Sequence, residues 1–291
     1  VGVYDLEKAS VLYLDIDTSD EHYLTSLSWS PDEQYIFLAE LNRDQNHMWF
    51  NMYDASTGKK IRTVFEEIND RWVEPEHEAV FIPKKKNQFL WMSERDGFMN
   101  IYIYDTQKGL IKQLTKFSWV VKNILGFDDD ARHVIITGTG SDPRERKAFR
   151  VNLKNGKVTE ITTESGSHEV QLNSSGNYII DRYTSLEVPG ITKIRSIHKK
   201  DESILFSAPN PIKNYQLGTT ELITLKTKDG TDLYGRIIKP YNFDDTKKYP
   251  VLVYVYGGPH VQLVTNSWLG RSNLWMQWMA AEQGYIVFTL D

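Results

Sequence analysis

The feature that most constrains the fold of this chain is a repeat that runs through most of its length. In each repeat an apolar residue precedes a polar turn and a strand-like run, as in "WSPDEQYIFLAE" and "FDDDARHVIITG". The apolar residues that begin the repeats are Trp29, Phe81, Phe127 and Leu172, which lie 52, 46 and 45 residues apart. A regular period of this length indicates a protein built from similar structural units.

Each repeat also contains a second hairpin whose turn residues tolerate a positive φ. The first three hairpins carry Gly58, Gly109 and Gly156 in their turns, whereas the fourth has Lys200-Asp201. Each repeat is therefore predicted to form about four short strands, which is the composition of one β-propeller blade. A two-sheet sandwich is the alternative, although sandwiches do not repeat their hairpins at a fixed period.

Four repeats can be counted, and residues 1–16, "VGVYDLEKASVLYLDI", look like the second half of an earlier one. A propeller of about four and a half blades would leave open sheet edges. We therefore expect the chain to be an internal fragment of a longer protein, with an N-terminus that is not the natural one.

The pattern changes after residue 212. Residues 221–243 predict a hairpin with its turn at Asp229-Gly230. Residues 248–258, "KYPVLVYVYGG", form an almost wholly apolar run, which is typical of a central strand buried on both faces.

Residues 271–284 predict a helix whose apolar stripe contains Leu274, Trp278 and Ala281, and residues 285–291 predict another buried strand. A strand, a helix and a strand in this order begin a parallel α/β sheet. The predicted fold is therefore mostly β. A partial propeller of about four and a half blades over residues 1–212 precedes a truncated α/β-hydrolase domain over residues 213–291.

Composition excludes several classes of function. The 291 residues carry a formal net charge of −5 without a long run of Lys or Arg, which argues against nucleic acid as a partner. No apolar run approaches the roughly 20 residues that a membrane-spanning helix needs. The absence of Cys excludes disulfides, thiolate metal sites and cysteine nucleophiles. No metal or other cofactor is predicted.

The chain lacks the nucleophile that an α/β-hydrolase domain requires. Such domains place a serine in a Gly-x-Ser-x-Gly turn between a strand and a helix, and this motif is absent from the sequence. The nearest sequences, at residues 137–143 and 163–169, lack the second glycine and lie within the repeats. Both are interpreted as ordinary turns.

One candidate catalytic side chain is present, Tyr256 in the loop Tyr256-Gly257-Gly258-Pro259. The loop after the third strand of α/β-hydrolases supplies oxyanion-hole donors, and two glycines would let the backbone approach a substrate carbonyl. The phenol of Tyr256 could donate a hydrogen bond to the same oxyanion. The alternative is a packed aromatic residue whose hydroxyl donates to a backbone carbonyl.

Other polar clusters are interpreted as structural. Glu66-Glu67 is treated as a solvated turn, and the acidic residues and histidine of 74–78 as a solvated loop rather than a metal site. Asp128-Asp129-Asp130 begins a hairpin turn and is not expected to bind Ca²⁺. Residues 144–147 (Arg-Glu-Arg-Lys) form a mixed-charge blade loop that could face a partner.

These features together resemble the prolyl oligopeptidase group of serine peptidases. The segments "KKYPVLVYVYGGPHVQLVTNSW", "GYIVFTLD" and "SERDGFMNIYIYD" are most similar to its dipeptidyl peptidase IV branch in bacteria. Relatives with acylaminoacyl or oligopeptidase activity read His-Gly-Gly-Pro at this loop, whereas Tyr256-Gly257-Gly258-Pro259 fits the Tyr-x-Gly-Pro pattern of the dipeptidyl peptidases. The resemblance spans essentially the whole chain.

The resemblance implies a serine exopeptidase that releases N-terminal dipeptides ending in Pro or Ala. In the family a Ser–Asp–His triad cleaves the peptide, and a tyrosine hydroxyl stabilises the oxyanion, which assigns that role to Tyr256. A glutamate pair binds the free N-terminal ammonium of the peptide. By resemblance, the triad would follow Asp291 and the glutamate pair would precede Val1, so this chain alone is expected to be inactive.

The resemblance further implies export to the periplasm, with the cytoplasm as the alternative, and a homodimeric full-length protein. Its partners would be peptides with a free N-terminus. Two other functions remain open at this stage. One is an acylaminoacyl peptidase or oligopeptidase on the same scaffold, and the other is a non-catalytic propeller protein that binds partners.

Overall fold

The computed structural model describes residues 1–258 and 261–291, so Pro259 of the predicted loop lies outside the described residues. The chain divides into two compact units. One contains Val1–Val134 with Val151–Lys157, and the other contains Ile135–Arg150 with Val158–Asp291. Most of the regular structure in both units is β-strand.

The repeats form four sheets of four strands, and consecutive strands are neighbours in each sheet. The first contains β3 (His22–Trp29), β4 (Tyr35–Asn42), β5 (His47–Asp54) and β6 (Lys60–Ile68). The second contains β7 (Val80–Phe81), β8 (Gln88–Ser93), β9 (Asn100–Asp105) and β10 (Gly109–Gln113). The third contains β11 (Val121–Phe127), β12 (His133–Gly138), β13 (Lys147–Asn152) and β14 (Val158–Glu160). The fourth contains β15 (Ser167–Leu172), β16 (Tyr178–Thr184), β17 (Ile191–Ser196) and β18 (Glu202–Ser207).

The repeat positions read from the sequence coincide with the strand ends. Trp29, Phe81, Phe127 and Leu172 are the last residues of the first strand of the four sheets. Before β3, β1 (Gly2–Asp5) and β2 (Ser10–Tyr13) pair as an antiparallel hairpin, which agrees with the expected half blade. The prediction of a mostly β fold built from four-stranded blades is therefore confirmed.

The core of the first compact unit is aromatic and lies between its first two sheets. Phe50 of β5 contacts Trp91 of β8 with ring centroids 4.7 Å apart, and Phe65 of β6 stacks on Tyr104 of β9 at 4.0 Å. Phe50 and Trp91 are almost completely buried. Such ring pairs stabilise a core beyond the area that they bury, which explains why the inward positions of these strands are aromatic.

The last sheet has the strand order β19-β20-β22-β21. Its strands are β19 (Thr219–Lys226), β20 (Asp232–Lys239), β21 (Val251–Tyr254) and β22 (Ile286–Leu290). β19 and β20 form the predicted antiparallel hairpin, and β21 and β22 are parallel. The helix α1 (Leu274–Ala281) connects β21 to β22 after a 3₁₀ turn at Trp268–Arg271, so the predicted strand–helix–strand order is confirmed.

The predicted burial of residues 248–258 on both faces is wrong. β21 is the outermost strand of its sheet, and Val251 and Val253 are 55% and 59% exposed. Leu252, on the opposite face, packs against the cluster that contains Met276 of α1. The helix therefore covers one face of β21, and no described element covers the other.

The predicted buried stripe of the helix is also wrong. Met276, Gln277 and Ala280 are buried, whereas Leu274 and Trp278 are 63% and 51% exposed. The sequence of α1 is Leu-Trp-Met-Gln-Trp-Met-Ala-Ala, which is apolar on every side. Periodicity in such a helix cannot indicate which face will be covered.

No helix within the described residues combines the length and the hydropathy that crossing a membrane requires.

Candidate functional site

The candidate site is the loop that follows β21, the strand at the outer edge of the mixed sheet. β21 ends at Tyr254, so Tyr256 lies two residues beyond the strand. Tyr254 contacts Trp275 of α1 edge to face, with ring centroids 6.1 Å apart. This contact and the parallel pairing with β22 fix the upstream end of the loop.

The ring of Tyr256 folds back onto its own loop. A Cβ atom on Gly258 would lie 2.7 Å from Cε1 of Tyr256 and 2.8 Å from its hydroxyl oxygen, so a larger residue there would displace the ring. A Cβ atom on Gly257 would meet nothing within 4 Å. The ring therefore packs against Gly258, whereas Gly257 leaves open space beside the loop.

Tyr256 is 53% exposed. No hydrogen bond joins it to any residue of 1–258 or 261–291. The alternative interpretation, a core aromatic whose hydroxyl is bonded to a backbone carbonyl, is not supported by the described residues. An exposed phenol beside glycine backbone can donate to an anionic oxygen.

The segment downstream of the loop is held by β20 and β22. The carboxylate of Asp291, just after β22, accepts the backbone N–H groups of Leu263 at 3.1 Å and Val264 at 2.6 Å. Arg236 of β20 donates to the carbonyl of Leu263 at 3.3 Å and to the carbonyl of Gly270. Leu263, Val264 and Gly270 are therefore hydrogen-bonded to β20 or to the residue that follows β22.

Arg236 is an uncommon residue for a buried strand. It is 1% exposed, and its guanidinium also donates to Oγ1 of Thr289 at 2.9 Å. Burial lowers the pKa of Arg236, and the negative charge of Asp291 opposes that change. A buried cation is tolerated where most of its donors are used. Both terminal nitrogens of Arg236 have acceptors, including the carbonyls of Leu263 and Gly270, whereas Nε has none among the described residues.

Asp291 and Arg236 are residues that sequence reasoning missed. A charged residue within the apolar strand "LYGRIIK" was a signal that could have identified Arg236. Asp291 gave no comparable signal, because its role depends on two amides 27 and 28 residues away.

The glutamate pair at 66–67 does not form a solvated turn, and that prediction is wrong. Both residues lie in β6. Glu66 accepts from His47 at 2.8 Å, and Glu67 forms an ion pair with Arg95 at 2.8 Å. Burial lowers the pKa of Arg95, but the charge of Glu67 together with the interactions of Tyr104 and Tyr102 outweighs this effect, and the pKa is raised. Glu66 is thus paired within its own blade, and Glu67 is paired with a residue of the next blade.

The other polar clusters also have local partners. Asp128 accepts from the ring and backbone of His133 and closes the hairpin between β11 and β12. Within residues 1–258 and 261–291, no group of three or more metal-ligating side chains is present, including at 74–78. The loop at 144–147, which was expected to face a partner, contacts residues 262 and 266 of the same chain.

This chain is similar to known proteins in both sequence and fold. Residues 1–190 match the family profile described as the dipeptidyl peptidase IV N-terminal region. A crystal structure from Bacteroides ovatus, described as a candidate dipeptidyl aminopeptidase IV, is 36% identical with a TM-score of 0.94. It is matched over 100% of this chain and 44% of its own.

More distant relatives agree on the fold. Dipeptidyl peptidase 4 of Porphyromonas gingivalis is 22% identical with a TM-score of 0.87, matched over 100% of this chain and 41% of its own. Mouse dipeptidyl peptidase 8 is 23% identical over 352 residues, with 100% of this chain and 39% of its own length matched. The chain thus spans well under half the length of these relatives.

The profile covers the hairpin, the first three blade sheets and the first two strands of the fourth, and it ends in the turn before β17, so it spans about two thirds of the chain. With this match added to the blade architecture, the chain belongs to the dipeptidyl peptidase IV family, of which it contains the N-terminal region.

Proposed function

We propose that this chain is part of a serine-type exopeptidase that releases N-terminal Xaa-Pro or Xaa-Ala dipeptides from peptides. In this proposal Tyr256 donates its hydroxyl to the oxyanion of the tetrahedral intermediate. The observation that carries it is the position of Tyr256, exposed beside Gly257 and Gly258 and without a bonding partner among the described residues. Family membership supports the reaction class.

The geometry suits an oxyanion donor for a physical reason. A donor contributes most when it is preorganised and is not already engaged in another hydrogen bond. The ring of Tyr256 packs against Gly258, and the residue is 53% exposed. The nucleophile, its base and the amine-binding glutamates are proposed to come from other parts of the full-length protein.

The reaction is tested by measuring release from Gly-Pro-anilide, with an acetylated Gly-Pro-anilide as control. The full-length protein should cleave only the free substrate, and the 291-residue chain should cleave neither. Cleavage of the acetylated substrate would indicate an acylaminoacyl peptidase. Failure of a folded full-length protein to cleave either substrate would favour a non-catalytic propeller protein.

The role of Tyr256 is tested by the Tyr256→Phe variant of the full-length protein. Its kcat should fall roughly 10²- to 10³-fold while KM changes little, since an oxyanion donor acts in the transition state. Tyr241→Phe is the matched control, because Tyr241 is 51% exposed and lies outside the loop. An unchanged kcat for Tyr256→Phe would leave Tyr256 without a catalytic role.

Periplasmic location and a homodimeric full-length protein also belong to this proposal. Both are supported by family resemblance alone. Fractionation of cells that express the natural gene tests the first, and light scattering of the purified full-length protein tests the second.

A further inference from the structure

The loop between β12 and β13 contacts the segment that follows the Tyr256 loop. Both lie in the compact unit formed by Ile135–Arg150 and Val158–Asp291. Arg146 donates to Oε1 of Gln262 at 2.5 Å, and Nε2 of Gln262 donates to the carbonyl of Pro143 at 2.9 Å. The loop between β12 and β13 therefore binds Gln262, which lies four residues after Gly258.

Asn266 is the centre of this contact, because all of its polar groups are used. Its side-chain amide donates to Oε1 of Glu145 and to Oγ of Ser165, both at 2.9 Å. Its side-chain oxygen accepts from the backbone N–H of Leu186 at 3.3 Å.

The backbone of Asn266 is bonded as well. Its N–H donates to the carbonyl of Arg144 at 2.8 Å, and its carbonyl accepts from Oγ of Ser167 at 3.0 Å. An asparagine side chain has two donors and one acceptor oxygen, so each polar group of this residue has a partner. Asn266 thus connects its own segment to three others.

Glu145 supplies the complementary half of the contact. It is 7% exposed, and its Oε1 accepts from Asn266 and from the hydroxyl of Ser165. Lys147 lies 3.4 Å from its second carboxylate oxygen. Burying a carboxylate costs free energy unless its oxygens accept hydrogen bonds. The hydrogen bond between Asn266 and Glu145 therefore stabilises both residues.

We propose that Asn266 and Glu145 are positioning residues for Tyr256, an inference that rests on the proposed function. The chain is fixed at Tyr254 by pairing with β22 and again at Gln262 by the blade loop. The residues between these two points carry Tyr256. In this proposal, the blade loop limits where Tyr256 can lie because it fixes the chain at Gln262.

The expected effect on catalysis follows from the narrow range of distances over which an oxyanion donor is effective. Its oxygen must lie about 2.7–3.1 Å from the developing charge, and a displacement near 1 Å can cost roughly 10²-fold in rate. The loop between β12 and β13 would thereby affect kcat by fixing the position of Tyr256.

The contact can be broken and restored by exchanging donor and acceptor. Asn266→Asp places a carboxylate against the carboxylate of Glu145. Adding Glu145→Gln restores one amide and one carboxylate in reversed roles, and the hydroxyl of Ser165 can donate in either direction. Asn155→Asp is the matched control, because Asn155 is exposed in the turn between β13 and β14.

In the full-length protein, Asn266→Asp should lower kcat roughly 10- to 100-fold with little change in KM. The double variant should recover most of this loss, and Asn155→Asp should resemble the wild type. In a Tyr256→Phe background, Asn266→Asp should have little further effect on kcat. Equal losses in both backgrounds would overturn the proposal, since they would show that Asn266 acts independently of Tyr256.

A second measurement is independent of activity. Hydrogen–deuterium exchange of peptides covering residues 251–267 should be faster in Asn266→Asp and return to the wild-type rate in the double variant. Unchanged exchange in Asn266→Asp would overturn the inference. A wild-type protein without dipeptide release would refute the proposed function, and this exchange result would still decide whether Asn266 and Glu145 hold the loop.

Discussion

The carboxylate of Glu164, which precedes β15, provides a quantitative test of the electrostatics of the fourth blade. Its Oε1 accepts from Nζ of Lys193 and from the guanidinium of Arg195, both at 2.5 Å. Burial raises the pKa of Glu164, but the hydrogen bonds from these two cations outweigh this effect and lower the pKa to about 2. The ordinary value is 4.5, so the ionised form is favoured in the folded state.

The size and sign of the effect follow from linkage. A folded-state pKa below the unfolded value stabilises the fold above pH 4.5, and this stabilisation is lost as pH falls toward 2. The full difference would correspond to roughly 3 kcal/mol. The side chain is 28% exposed, and screening by solvent reduces the expected contribution to about 1–2 kcal/mol.

The perturbation is Glu164→Gln, measured by urea unfolding at pH values from 7 to 3. At pH 7 the variant should lose about 1–2 kcal/mol of unfolding free energy, and the difference from the wild type should shrink as the solution is acidified. Glu169→Gln is the control, because Glu169 is 75% exposed and lies 3.7 Å from Arg182 in the same blade. A Glu164→Gln difference that stays constant from pH 7 to pH 3 would refute the reasoning.

Three further predictions concern losses in the free energy of unfolding, which are measured by urea unfolding. Asp181→Ala should cost about 3–5 kcal/mol, because it leaves the buried cation Arg195 and the ring of His168 without their shared acceptor. Asp181→Asn should cost about 1.5–3 kcal/mol. Equal losses for the two variants would contradict this. Trp91→Ala should cost about 3–5 kcal/mol through the cavity beside Phe50, and a loss below about 1 kcal/mol would show that the site collapses. Gly58→Ala should cost more than about 2 kcal/mol, because φ is +72° and the new Cβ would lie 2.4 Å from the carbonyl oxygen of Tyr13. Gly230→Ala is the control and should cost about 1 kcal/mol, because a Cβ there would meet open space. Similar losses for both glycines would exclude the clash as the cause.

The sequence predicted the repeat architecture because turns and alternation are local. The polar turns after Trp29 and Phe127 and the glycine turn at Gly58 act over a few residues, so their positions coincide with observed hairpins. The hairpin at Asp229-Gly230 was predicted for the same reason. The family resemblance rested on other segments, of which only residues 93–105 lie within the profile match at 1–190. The domain boundary at residue 212 stays a prediction.

Burial and polar pairing were predicted less well, because both depend on what covers a surface. The apolar run in β21 predicted burial on both faces, but α1 covers only the side of Leu252. Glu67 was interpreted as solvated because its partner, Arg95, lies 28 residues away in the next blade. At the candidate site, the sequence identified Tyr256, whereas the surroundings of its hydroxyl required the structure.

The sequence by itself determined the blades, their hairpins and the position of the tyrosine loop, since each depends on residues that are close in the chain. Only the tertiary structure decided which faces are covered and how the loop is held. Asn266 and Glu145 are 121 residues apart, and Val264 and Asp291 are 27 apart. Neither pair carries a local signal, because each hydrogen bond becomes possible only after the intervening chain has folded and brought its donor and acceptor together.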